Sequence, residues 1–183
     1  MLSRSSLRIG IACFSTFGGS GVVATEIGMV LGRRGHRVCI LSDRPPVRLD
    51  PDCPNVTCHQ VEPLDYPLLV ERSYALSLSA KMIEVARAEK LDLFHLHYAI
   101  PHAVSGFLTR QVLGLSAPKM VTTLHGTDVS LVGSDPRFQP LARFAVGQSD
   151  AISAPSLIDT IRGLLLGLIA LITGSRQEPG GSG

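Results

Sequence analysis

The sequence predicts an α/β domain with a doubly wound parallel sheet, and three observations support this fold class. Strand-like and helix-like segments alternate along the chain, which is typical of a parallel sheet covered on both faces. A glycine-rich loop joins the first strand to the first helix. The 183 residues are 45% apolar and 17% charged, which is enough for one good core and favours one domain.

Each element has a local signal. An apolar run predicts the first strand. Val23, Ile27, Val30 and Leu31 recur at helical spacing in the first helix, and Gly35 ends it. Pro101 suits the first turn of the third helix. The predicted strands cover 8–14, 37–42, 56–61, 92–97, 119–124 and 150–154, and the predicted helices cover 21–34, 77–90, 101–114 and 136–147.

The loop between the first strand and the first helix predicts an anion site. Gly18, Gly19 and Gly21 carry no Cβ, so backbone N–H groups can approach a ligand closely. The following helix directs its free amides and positive dipole end to the same place. This arrangement suits a phosphate or a carboxylate.

Polar residues also lie at the ends of two later strands and directly after them, in HLHYAIPH at 95–102 and in TTLHGTD at 122–128. In an open parallel sheet the ligand lies beyond the carboxyl ends of the strands. We therefore expect these segments and the glycine loop to converge on one site.

Composition excludes several classes of function. The net charge is +2 and no Lys/Arg block occurs, which argues against a nucleic-acid partner. The four cysteines form no CxxC pair, and Cys13 and Cys39 lie in apolar runs, which indicates a reducing, cytoplasmic location. The first apolar run is too short for a signal peptide, and no membrane association is expected. His95 and His97 lack a third ligand at suitable spacing, so no metal or other cofactor is predicted.

Four segments carry a resemblance to a known family. GGSGVVATE, HLHYAIPHA, TTLHGTDV and SDAISAPS together resemble the N-terminal half of GT-B glycosyltransferases of family 4, in the branch that serves bacillithiol biosynthesis. The resemblance implies a Rossmann-like, acceptor-side domain at 1–156. It implies transfer of N-acetylglucosamine from UDP-GlcNAc to L-malate with retention of configuration.

The resemblance also implies site residues. It implies that the loop lies against the donor diphosphate and the acceptor, and that Tyr98, Thr123 and Arg143 contact the acceptor. It also implies that His125 stands beside the donor sugar in the catalytic position and that Asp128 orients its loop. The complete set implied by the resemblance is Gly19, Ser20, Gly21, Tyr98, Thr123, His125 and Arg143.

The C-terminal segment departs from the family pattern. The glycosyltransferases continue into a second domain that holds the nucleotide sugar with a basic clamp and a pair of glutamates, whereas the acidic residues beyond Asp150 here are Asp159 and Glu178. The donor half is expected to be missing, or to be supplied by a separate C-terminal domain. Residues 157–173 are predicted as an apolar amphipathic helix, and 174–183 as a disordered tail.

Two other functions remain open from the sequence. The run GSGVVA at 19–24 also fits a dinucleotide-binding fingerprint, with Asp43 near the ribose position, which would indicate an NAD(P)-dependent oxidoreductase. Four residues separate the strand from that fingerprint, which weakens the match. The second alternative is a non-catalytic module that binds an anion or a carboxylate.

Overall fold

The computed structural model describes residues 6–63, 73–128 and 135–154. Its strands are β1 (Arg8–Ala12), β2 (Arg37–Ser42), β3 (Val56–Gln60), β4 (Leu93–His97), β5 (Lys119–Thr123) and β6 (Ala151–Ser153). They form one six-stranded sheet in the order β3-β2-β1-β4-β5-β6, and every neighbouring pair is parallel. The predicted α/β fold class is confirmed.

The helices divide between the two faces of the sheet. They are α1 (Gly19–Arg33), α2 (Tyr74–Glu89), α3 (Val104–Leu113) and α4 (Gln139–Gly147). One apolar cluster joins α1 to β1 and β2, with Ile11 and Ile40 fully buried. A second cluster joins α2 to the opposite face, with Leu41 and Phe94 fully buried. The sheet is therefore covered on both sides, as its alternating elements predict.

The strand order reverses at β1, which lies between β2 and β4. The chain leaves β1 toward β2 on one side and reaches β4 only after the crossover through α2. At such a switch point the loops after the two central strands separate and leave a crevice at their carboxyl ends. The loop before α1 and the turn after β4 border this crevice.

Helix α1 approaches the sheet closely through small residues. A Cβ on Gly21 would lie 2.6 Å from the carbonyl oxygen of Phe14 and 2.7 Å from that of Thr16. Val23 and Val30 are 36% and 42% exposed, so the predicted apolar stripe of this helix is wrong at both positions. The reason is that Gly21, Ala24 and Gly28 are buried in their place.

The third helix also departs from its prediction. Residues Ala99–Ala103 form an irregular turn, in which Ile100 is extended at φ −120° and ψ 125°, and α3 begins only at Val104. Pro101 therefore belongs to this turn and not to the helix. The other predicted elements agree with the structure to within about three residues.

Two predictions lie outside the described residues: the apolar helix at 157–173 and the disordered tail at 174–183. Within the described ranges, no helix has the length and apolarity required to cross a membrane.

Candidate functional site

The start of α1 presents backbone amides to the crevice. Gly18 precedes the helix in an extended conformation, and no side chain caps the first turn. The amides of Gly21 and Val22 bond to the carbonyl oxygen of Gly18. A Cβ on Gly19 would meet no atom within 4 Å, so the space above this exposed residue is open to a ligand, whereas Ser20 is only 8% exposed.

The end of β1 is joined to the end of β2 by a side-chain contact. Ser15 donates its hydroxyl to the Asp43 carboxylate at 2.6 Å, and Arg44 donates to the other oxygen at 3.0 Å. Partial burial opposes ionisation of Asp43, but these hydrogen bonds prevail and keep its pKa below the usual value. The carboxylate that a dinucleotide ribose would need is thus already engaged.

Tyr98 connects three parts of the crevice. Its backbone N–H donates to the carbonyl oxygen of Thr123 at 3.0 Å, and its φ is 91°. The ring centroid lies 5.3 Å from that of Phe14 and 5.0 Å from that of His125. The phenol shares a 2.9 Å hydrogen bond with the Thr127 hydroxyl. Tyr98 therefore links the end of β1 to the segment after β5.

The hydroxyl of Thr123 lies between two other polar side chains on the same face of the sheet. His95 Nε2 is 2.6 Å from Thr123 Oγ1, and Ser153 Oγ is 2.7 Å away on the other side. Thr123 and Ser153 are paired in register on β5 and β6. Burial, helped by the nearby charge of His125, lowers the pKa of His95 to about 4, so this imidazole is neutral at physiological pH.

His125 is held by a second histidine. Its Nε2 atom lies 3.0 Å from His97 Nδ1, and the two rings stack with centroids 5.3 Å apart. His97 is fully buried. Burial, with smaller effects from the neighbouring histidines, holds the pKa of His97 far below its usual range. The pair is therefore a hydrogen bond between one donor nitrogen and one acceptor nitrogen.

Asp128 orders the backbone around this site. One carboxylate oxygen accepts the N–H of Ala99 at 2.9 Å, and the other accepts the N–H of His125 at 2.8 Å. Burial raises the pKa of Asp128 to about 7 although both backbone hydrogen bonds favour the charged form. With both oxygens bound to backbone, this side chain orients the segment, which is the role that the resemblance implied.

His102 lies behind the crevice and does not face solvent. It is fully buried, and its ring makes edge contacts with Phe14 at 4.7 Å and with Tyr74 at 6.3 Å between centroids. Burial lowers the pKa of His102 to about 3 although the nearby backbone of His97 and Cys13 favours its charged form. It packs the irregular turn against β1.

The structure brings the predicted site residues together unequally. Tyr98, Thr123 and His125 contact one another directly or through the backbone, and Gly21 lies against Phe14, which packs on Tyr98. Arg143 stands apart. It is exposed on α4, and it makes no hydrogen bond or ion pair with any described residue, although the neighbouring Ala142 is buried in the same apolar cluster as Ala99.

Sequence reasoning missed two contributors, Ser153 and Thr127. Ser153 lies within SDAISAPS, where the sequence shows a family motif and no sign of a site residue. Its side chain reaches Thr123 because parallel pairing aligns the two residues. The alternation of side chains along β6 could have suggested its face. Among the described residues, no group of three His, Cys, Asp or Glu side chains could hold a metal ion.

The six-stranded parallel sheet with helices on both faces matches the Rossmann-like N-terminal domains of GT-B glycosyltransferases. The chain belongs to Glycosyltransferase Family 4, which matches residues 17–157. It is 46% identical over 150 residues to the N-acetyl-alpha-D-glucosaminyl L-malate synthase of Bacillus anthracis, covering 82% of this chain and 39% of that protein.

Solved structures agree on the fold. A glycosyltransferase from Rickettsia africae superposes with a TM-score of 0.62 at 16% identity, covering 87% of this chain and 39% of its own. Anabaena HepE in complex with UDP and glucose superposes with a TM-score of 0.61 at 13% identity, covering 88% of this chain and 41% of its own. The chain thus spans about two fifths of the length of these relatives.

The family argues against one of the two alternatives that the sequence left open. Membership in Glycosyltransferase Family 4 and the engaged carboxylate of Asp43 both argue against the NAD(P)-dependent oxidoreductase.

Proposed function

We propose that this domain binds L-malate as the acceptor side of an enzyme that transfers N-acetylglucosamine from UDP-GlcNAc to the malate hydroxyl, a step of bacillithiol biosynthesis. The 46% identity to the Bacillus anthracis synthase supports the choice of substrates. The observation that carries the proposal is a chain of contacts at the carboxyl ends of the strands: Gly21 of α1 lies against Phe14, Phe14 packs on Tyr98, and the Tyr98 N–H donates to Thr123.

The chemistry of these groups fits a dicarboxylate. The first turn of α1 offers backbone donors and the positive end of the helix dipole. The phenol of Tyr98 and the hydroxyl of Thr123 can each donate one hydrogen bond to a carboxylate oxygen. Arg143 would add a bidentate, charged partner. Its exposed side chain is available for such a contact.

His125 is proposed to stand beside the donor sugar. Its ring is fixed by His97 at Nε2 and its backbone by Asp128, so its position is set before any ligand arrives. A group that is held in place loses little entropy in the reaction. Gly19, Ser20 and Gly21 are proposed to contact the donor diphosphate as well as the acceptor.

The donor side is proposed to come from a C-terminal GT-B domain. This domain closes the crevice over the sugar nucleotide. A cytoplasmic location is proposed with it, supported by the four free cysteines, since thiols persist in a reducing compartment. A non-catalytic carboxylate-binding module would use the same acceptor groups, and the two proposals differ in whether a donor domain completes the site.

Calorimetry and an enzyme assay test these proposals together. The chain should bind L-malate with a Kd in the range of about 0.1 to 10 mM, because few contacts are available without a closed cleft, and L-lactate, which lacks one carboxylate, should bind more weakly. With the separately produced C-terminal domain of the Bacillus anthracis relative added, UDP release should depend on malate. Binding without UDP release would favour the module, and no binding at about 10 mM malate would contradict both proposals.

A further inference from the structure

His95, Thr123 and Ser153 form a row of hydrogen-bonded side chains. This row determines whether the Thr123 hydroxyl can donate a hydrogen bond to a ligand or accept one from it. A threonine hydroxyl has one proton to donate and two lone pairs to accept with. Two of its three possible hydrogen bonds are made with His95 Nε2 at 2.6 Å and with Ser153 Oγ at 2.7 Å. Only one hydrogen bond remains for a ligand.

The tautomer of His95 decides what kind of ligand atom can take that place. If Nε2 is unprotonated, the Thr123 hydroxyl donates its hydrogen bond to Nε2. Thr123 can then only accept a hydrogen bond from a ligand. If Nε2 carries the proton, Thr123 accepts from His95, and its own proton remains available. The two tautomers therefore select opposite ligands, a hydrogen-bond donor in the first case and an acceptor such as a carboxylate oxygen in the second.

We propose that His95 is a positioning residue whose Nε2–H donates a hydrogen bond to the Thr123 hydroxyl. When ligand is bound, the Ser153 hydroxyl donates to Thr123 from the other side. The proton of Thr123 then points to an anionic oxygen of the acceptor. This inference rests on the proposed function for the identity of that acceptor. The surroundings support it, since no side chain caps the first turn of α1 and the phenol of Tyr98 can also donate, its partner Thr127 being able to act as donor or acceptor.

In this arrangement Thr123 favours a ligand with a carboxylate over one with a hydrogen-bond donor. A hydroxyl with both lone pairs occupied offers only a proton, and it repels a ligand N–H or an ammonium group. His95 on β4 reaches Thr123 on the neighbouring strand β5, and rigid strands keep both side chains in place more firmly than loops would.

Nitrogen NMR of the imidazole rings tests the tautomer directly in the full 183-residue chain without ligand. At neutral pH we expect a protonated Nε2 and an unprotonated Nδ1 for His95, assigned among the six histidines by the loss of its signals in His95→Gln. The opposite tautomer, or an equal mixture of both, would overturn the proposal. The tautomer itself is measured on the unaltered chain.

Variants then test whether Thr123 is the partner. Thr123→Val keeps the shape of the side chain and removes the hydroxyl, so His95 should relax toward a mixture of tautomers, while Thr123→Ser should restore the single form. Ser153→Ala, at an exposed position, should leave the tautomer of His95 unchanged. An unchanged His95 signal in Thr123→Val would contradict the assignment.

Malate affinity separates this inference from the proposed function. Thr123→Val should weaken L-malate binding by about 10- to 100-fold, the loss of one hydrogen bond to a charged group, and Thr123→Ser should stay within about threefold of the unaltered chain. If the unaltered chain does not bind malate, the proposed function fails. The tautomer of His95, measured without ligand, still decides whether Thr123 is prepared as a donor.

Discussion

The Asp128 carboxylate accepts the backbone N–H of Ala99 at 2.9 Å. The contact joins the segment after β5 to the turn after β4, two parts of the chain that lie 29 residues apart in sequence. Because the other oxygen of Asp128 accepts the N–H of His125, one side chain sets the positions of both strand ends. The geometry of the site therefore depends on this buried carboxylate.

Replacement of Asp128 by Asn should destabilise the domain. An amide has one acceptor oxygen, so one of the two backbone N–H groups would face an NH₂ group and lose its hydrogen bond, at a cost of about 1 to 3 kcal/mol. Urea unfolding followed by circular dichroism measures the change. Asp52→Asn, at an exposed turn, is the matched control and should leave the midpoint unchanged; equal midpoints for both variants would show that Asp128 does not order the site.

Acid should destabilise the fold well before the carboxylates of the unfolded chain titrate. Burial lowers the pKa of His95 to about 4 and that of His102 to about 3 from 6.5, and it also lowers the pKa of His97. Below pH 6.5 the unfolded chain therefore binds protons that the folded chain does not, and stability falls as pH falls.

Asp128 works in the opposite direction, because its pKa is raised from 3.8 to about 7. The folded chain binds a proton there that the unfolded chain has released, so stability rises as pH falls through this range. The effect of the three histidines exceeds that of the one aspartate, so the free energy of unfolding should fall by about 2 kcal/mol between pH 6 and pH 5. Urea midpoints at the two pH values test this, and a midpoint that stays constant or rises on acidification would refute it.

Two glycines in the first turn of α1 should respond differently to replacement by alanine. A Cβ on Gly21 would lie 2.6 Å from the backbone oxygen of Phe14, so Gly21→Ala should lower the free energy of unfolding by about 1 to 3 kcal/mol. A Cβ on Gly19 meets no protein atom within 4 Å, so Gly19→Ala should fold normally and lose malate affinity, since the new methyl group occupies the ligand's space. Full malate affinity in Gly19→Ala would show that the ligand does not lie against the first turn of α1.

Arg143 should contribute to malate binding although no described residue contacts its side chain through a hydrogen bond or an ion pair. Arg143→Gln removes a charged partner of a carboxylate, and a loss of about 10- to 100-fold in affinity is expected. Arg87→Gln is the matched control, because Arg87 lies in the last turn of α2, near the amino ends of the strands. Calorimetric titration with malate compares the two variants. Equal malate affinities would show that Arg143 does not contribute to the site.

The sequence could predict the fold and the polar groups that meet at the carboxyl edge of the sheet, because both follow from local signals. The alternation of elements gives a parallel sheet, and the glycine loop with its polar strand ends marks the carboxyl edge. The NAD(P) alternative arose for the same reason. A glycine fingerprint describes a loop and does not reveal that Ser15 and Arg44 occupy the Asp43 carboxylate.

The remaining features depend on contacts between distant residues. The rule for proline in a first turn is local, whereas the turn at Ala99–Ala103 is held by Asp128 from the other side of the crevice. The contact of Ser153 with Thr123 follows from strand register, which the pattern of apolar residues leaves undetermined. In α1, the small residues are buried because the helix lies close to the chain after β1, and hydrophobic spacing does not report that distance.

The amides at the start of α1 and the Tyr98–Thr123 edge are proposed to form one binding site for a dicarboxylate. Backbone NMR of the labelled chain during titration with L-malate tests this most directly. We predict that the amide signals of Gly19, Ser20 and Gly21 and those of Tyr98 and Thr123 shift together along one saturating curve, and that signals near Arg87 stay in place. Absence of any shift at these five residues up to about 10 mM malate, or shifts confined to the opposite edge of the sheet, would contradict a shared site.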